Sequence, residues 1–193
     1  MMVLIRDTLK SEKPDDDFGD QVYAMIRQYA TGPGDRFTLE MHNRIVNLEI
    51  DGVEGLQKAI TSPHGKARRV ALWLIVAFHK KAEKDDRREV LVDLMKNCLA
   101  DPNKVVRYCS ARALLRLDVP MERKHKEFVP LIVDLFEDRS SKVRRKAAYM
   151  LLFDGLFAYV PLERAALALA NNQDEWTRRI LSGLVKRIIA HKA

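Results

Sequence analysis

One pattern recurs four times along this chain, and it limits the possible folds more than any other feature. The segments are Ser62-Pro-His-Gly-Lys-Ala-Arg68, Asp101-Pro-Asn-Lys-Val-Val-Arg107, Asp138-Arg-Ser-Ser-Lys-Val-Arg144 and Asn172-Gln-Asp-Glu-Trp-Thr-Arg178. Each opens with a residue whose side-chain oxygen can cap a turn or a helix start, and each carries an arginine six positions later. The openings are 39, 37 and 34 residues apart, an interval typical of stacked helical repeats.

The residues around each segment show what is repeated. After the turn, apolar and small residues follow helical spacing, as in Val106, Cys109, Ser110, Ala113 and Leu114. Before it lies a second amphipathic run, such as Phe128, Val129, Leu131, Ile132, Leu135 and Phe136. Each repeat is therefore a helix pair, A then B, with the B helices predicted near 65–80, 104–117, 141–153 and 175–190. The predicted fold class is all-α, an α-solenoid of about four pairs spanning residues 51–193 within a single domain. Residues 1–50 read as an N-terminal helical cap, with helices over Phe18 to Tyr29 and Phe37 to Leu48. Asp15, Asp16, Asp17 and Asp20 stand at or before the first of these, where negative charge suits the helix dipole.

Composition agrees. Eight glycines and seven prolines in 193 residues are too few for a turn-rich sandwich, and 47% hydrophobic residues support a substantial core. The longest apolar run, Val70 to Phe78, is far short of a membrane span of roughly 20 residues, so no membrane partner is expected. The first residues hold no apolar stretch or small-residue cleavage site, which makes the cytoplasm the expected compartment. Cys98 and Cys109, among apolar neighbours, read as buried thiols.

The pattern resembles the HEAT-repeat family, most clearly in Pro130, Asp138, Val143 and Arg144 of the third repeat. The resemblance implies that this proline bends helix A and that the aspartates and arginines form a hydrogen-bonding ladder between and within repeats. Repeat two keeps Asp101, Val106 and Arg107 but has Asp93 in place of the proline. Ser62 and Asn172 replace the aspartate in the first and fourth repeats, although Arg68 and Arg178 remain.

The charge is unevenly distributed. The four B windows hold sixteen basic residues against one acid, Glu175, which leaves 18 basic and 26 acidic residues elsewhere. The resemblance places B helices on the concave side of the stack, which implies a basic groove. Many of these cations stand in the first two turns of their helices, where the dipole disfavours them, so helix propensity does not account for them. Aromatic residues are interleaved with the cations. The residues expected to meet a partner are Lys66, Arg69, Trp73, Lys104, Tyr108, Arg112, Lys142, Arg145, Tyr149, Trp176 and Arg179. Of these Trp73, inside the apolar run, fits a core position better than an exposed one.

Signatures of catalysis are missing: there is no nucleophile elbow, phosphate-binding glycine loop or Cys-Xaa-Xaa-Cys pair. Glu122 and His125 form only one of the two Glu-Xaa-Xaa-His pairs that a di-iron bundle needs, and His79 with Glu83 reads as a surface ion pair. No cofactor or metal is expected. Two enzyme groups share this architecture. Deoxyhypusine hydroxylases carry His-Glu pairs, and no histidine here precedes a glutamate. Alkylpurine DNA glycosylases place an aspartate one helical turn after a groove tryptophan, where this chain has Ala77 and Ile180. The expected function is a non-enzymatic binding module that holds an acidic protein or a nucleic acid on its basic face. The second reading is a nucleic-acid-binding protein similar in architecture to those glycosylases.

Overall fold

The computed structural model describes residues 53–81 and 85–193, together with residues 23, 24, 26 and 27. Four helix pairs follow one another: α1 Val53–Ile60 with α2 Gly65–Lys81, α3 Asp85–Asn97 with α4 Lys104–Arg116, α5 Val129–Asp134 with α6 Ser141–Phe153, and α7 Leu162–Asn171 with α8 Glu175–Lys192. There is no strand among the described residues. The even-numbered helices match the predicted B windows to within two residues. They pack in succession, α2 on α4, α4 on α6 and α6 on α8, each also covering its odd-numbered partner.

The four turns share one local device. Asp101 Oδ1 accepts the Asn103 N–H at 2.7 Å and Asp138 Oδ1 that of Ser140 at 2.7 Å. Ser62 Oγ accepts from His64 at 3.3 Å and Asn172 Oδ1 from Asp174 at 3.4 Å, so all four opening residues bond two positions on. The helix caps come next: Asn103 Oδ1 takes the Val105 N–H at 2.8 Å, and Asp174 Oδ1 takes that of Thr177 at 2.8 Å. Gly65 opens α2 where a Cβ would lie 2.5 Å from Asn103 Nδ2, so a larger residue there would have to displace the Asn103 side chain of the next repeat.

Pro130 stands in the first turn of α5, preceded by a wide π turn over Lys124–Phe128 and a short helical turn at Met121–Arg123. Proline offers no N–H to the carbonyl four residues back and its ring crowds that carbonyl, so the helix widens just before it. Repeat two, with Asp93 instead, has an unbroken α3.

The arginine ladder connects successive repeats, but its rungs are unequal. Arg68 donates through Nε and Nη2 to the two oxygens of Asp101 at 2.6 and 2.9 Å, and through Nη1 to the Ser62 carbonyl at 2.6 Å. Arg107 repeats this one step on, with Asp138 at 2.6 and 2.7 Å and the Asp101 carbonyl at 2.8 Å. Burial alone would raise the Asp138 carboxyl, but the Arg107 guanidinium and the Ser140 N–H hold it below the usual carboxylate range. Arg144 reaches only the Asn172 amide oxygen at 3.3 Å, with the Asp138 carbonyl at 2.8 Å, and its buried Nε has no partner. Arg178, also expected in the ladder, is exposed and donates to no side chain of the described residues, whereas each of the other three reaches into the following repeat. By the same logic Ser62 does not weaken the first rung, because Arg68 uses the aspartate of repeat two.

The core runs through all four pairs and takes in Ile26, which is fully buried, and Tyr23, which packs against it. The rest of the expected N-terminal cap and its acidic stretch lie outside the described residues. Cys98 is buried, and burial pushes its thiol up to about 11; Cys109 is half-buried.

His79 corrects the surface-pair expectation. It is 1% exposed and neither ring nitrogen has a hydrogen-bond partner, while Glu83 lies outside the described residues. The ring continues the buried row Ala71, Ile75 at four-residue spacing, and that periodicity outweighs the nearby charge. Burial pushes its pKa down, Arg88 and Arg123 reinforce the shift, and Glu89 and Asp118 oppose it. A base whose folded pKa is depressed stabilises fully above its unfolded pKa of about 6.5 and loses that contribution as pH falls toward the folded value. Stability should therefore decrease between about pH 7.5 and pH 5, and His79→Leu should flatten that decrease. Urea midpoints at both pH values check this; an undiminished decrease in the variant would place its source elsewhere.

Candidate functional site

Counting from the ladder arginines aligns the even-numbered helices. One residue after the ladder position stand Arg69, Tyr108, Arg145 and Arg179; five after, Trp73, Arg112, Tyr149 and Gly183; nine after, Ala77, Arg116, Phe153 and Arg187. Two before stand Lys66, Val105, Lys142 and Trp176. These offsets fall three or four residues apart, so they form one stripe on each helix and one face across the four.

On this face the structure departs from the expectation for Trp73, which is 47% exposed rather than buried. Helix α2 turns its neighbours Leu72 and Leu74 inward, and the indole falls between those rows. Tyr149 and Trp176 are exposed, Tyr108 is half-buried, and Phe153, which is not among the expected partner-binding residues, is 62% exposed. Lys66, Lys104, Arg112, Lys142 and Arg179 are exposed, whereas Arg69 and Arg145 are half-buried. The nine-residue offset was the signal that could have added Arg116, Phe153 and Arg187.

Contacts tie the stripes together. The guanidinium groups of Arg112 and Arg116 lie 5.7 and 6.0 Å from the Trp73 ring centre, joining α4 to α2. The Lys142 ammonium lies 5.6 Å from the Tyr108 ring and joins α6 to α4. Within single helices, Lys146 lies 5.7 Å from Tyr149 and Arg179 lies 5.9 Å from Trp176. Tyr149 and Phe153 stack at 4.3 Å with an interplanar angle of 30°. Such contacts contribute about 0.5 to 1 kcal/mol each when exposed. The half-buried Cys109 registers the same convergence: burial raises its pKa while Arg69, Arg112 and Lys142, one cation from each of three repeats, act to lower it.

The two sides of the molecule treat their cations differently. Near the odd-numbered helices several cations are paired: Arg123 with Glu89 at 2.5 Å and Glu127 at 3.1 Å, Lys126 with Glu122 at 2.6 Å, and Arg164 with Asp134 at 3.0 Å. On the even-numbered helices the ion pairs among the described residues are the two ladder rungs. Arg69, Arg112, Lys142, Arg145, Arg179 and Arg187 have no carboxylate within ion-pairing distance among those residues.

No group of three or more residues able to hold a metal ion occurs among the described residues. Glu122 is engaged by Lys126, and the His125 ring lies 4.3 Å from that of Tyr159, so this pair does not form a ligand set. Four residues after the two tryptophans stand Ala77 and the half-buried Ile180, neither of which can do proton chemistry. No described helix is long and apolar enough to cross a membrane.

A sequence model described as HEAT repeats matches residues 53–152. Among solved structures, the chain is similar to an engineered protein of the Northeast Structural Genomics Consortium, with 17% identity over 89% of this chain and 80% of that chain and a TM-score of 0.48. Of the curated proteins, none matches the sequence.

Proposed function

Since this chain belongs to the HEAT-repeat family, whose members typically act as protein-binding scaffolds, we propose that it is a non-enzymatic module holding an acidic partner on the face of α2, α4, α6 and α8. The observation that carries this reading is the segregation of ion pairs. A protein with an excess of cations can neutralise them internally, as several do on the odd-numbered side; on the even-numbered face Arg69, Arg112, Lys142, Arg145 and Arg179 have no carboxylate partner among the described residues. The ladder arginines belong to the fold, so the partner meets the neighbours of the ladder, chiefly Arg69, Arg112, Lys142, Arg145 and Arg179, with Lys104 at the start of α4.

Salt tests this directly. If about four cations neutralise phosphates, binding to single-stranded or duplex DNA should weaken roughly fifty- to 150-fold between about 50 and 200 mM salt, following a slope near −0.7 per contact for single strands and −0.9 for duplex. An affinity that does not respond to salt would contradict the proposal. The second reading, a nucleic acid as the partner, draws on the exposed rings beneath these cations.

A further inference from the structure

Charge alone does not explain the rings. The even-numbered face exposes Trp73 by 47%, Tyr149 by 45% and Trp176 by 62%, each with a cation about 6 Å or less from its ring centre. Acidic peptides would use the lysines and arginines, but carboxylates gain nothing from the face of an aromatic ring, which is itself the negative pole of the ring's quadrupole. A nucleic-acid duplex would also use the cations, and it hides the faces of its bases in its own stack. A single strand supplies both halves at once, with phosphates for the cations and unstacked bases for the rings. The arrangement also recurs along the stack, on α2, α6 and α8, as a ligand with a repeating backbone requires.

We infer that this face binds single-stranded nucleic acid, with phosphates on Arg112, Arg145 and Arg179 and bases stacked on Trp73, Tyr149 and Trp176. The inference rests on the polyanion reading above and adds to it the chemistry of the ligand. Sequence discrimination should be weak, because every base has a π face and the cations meet phosphates.

The chain has two tryptophans, both on this face, so intrinsic fluorescence reports stacking without any label. The experiment titrates the whole chain at one salt concentration with four probes: an oligothymidylate, an abasic oligomer of equal length and charge, a DNA duplex and a polyglutamate peptide. The expected result is tightest binding and tryptophan quenching with the oligothymidylate, and weaker binding without quenching for the abasic oligomer. Trp176→Ala should lower oligothymidylate affinity about fivefold or more, the low end of base stacking, while leaving the abasic oligomer unaffected. Because Trp176 is 62% exposed, its loss leaves the core intact, and an unchanged circular dichroism spectrum checks this. Equal affinity for the abasic and base-bearing oligomers overturns the stacking inference and leaves the polyanion reading standing, as does tighter binding of duplex or of polyglutamate. Failure of all four probes to bind overturns both.

Discussion

Arg107→Ala should destabilise the protein by about 3 to 5 kcal/mol, the range for removing one partner of a buried ion pair. The Arg107 and Asp138 side chains are 5% and 6% exposed, and the guanidinium also satisfies the carbonyls of Asp101 and Pro102. Truncation would strand a buried carboxylate between repeats two and three. Arg107→Lys should not rescue it, because one ammonium cannot reproduce the planar fork that meets both carboxylate oxygens. Losses should follow the unequal rungs: Arg68→Ala comparable, Arg144→Ala smaller because its acceptor is a neutral amide at 3.3 Å, and Arg178→Ala within about 0.5 kcal/mol. Urea denaturation of the four variants measures the series. Equal losses at Arg107 and Arg178 would mean that the ladder does not hold the repeats together.

That ranking also shows where the sequence was readable. The turn motifs fixed the helix pairs because a capping side chain, an arginine six residues on and an apolar helical face all recur together, and each constrains the same backbone. Pro130 could be read for the same reason: a missing N–H acts locally. The ladder's direction was harder to see. An arginine six residues after its own aspartate suggests a partner within the repeat, whereas the bidentate bond goes to the following one, so Arg68 was stronger and Arg178 weaker than the motif implied. His79 and Trp73 were misjudged for opposite reasons. His79 continues a buried row although it is polar, and Trp73 falls between buried rows although it is apolar; which way a side chain points depends on helix phase and on the next repeat. The basic face was legible as a count of charges, but which of its cations lack a carboxylate partner among the described residues is a fact of three-dimensional packing.

The central claim is that the even-numbered face is the binding face, and paired charge reversals test it most directly. Arg145→Glu with Arg179→Glu changes four units of charge on that face. Each unit interacts with a phosphate by about 1 kcal/mol at 4 Å in water, and screening at physiological salt removes about half of this, which leaves roughly 2 kcal/mol, or about a thirtyfold loss of affinity. Lys124→Glu with Lys126→Glu makes the same change in net charge on the odd-numbered side, where the Lys126 ammonium already meets Glu122 at 2.6 Å. Isotherms for both double variants against one oligonucleotide, at one salt concentration, separate local from overall charge. The account predicts about a thirtyfold loss for the Arg145 and Arg179 pair and less than about threefold for the lysine pair. Equal losses would contradict it and reduce the interaction to the net charge of the molecule.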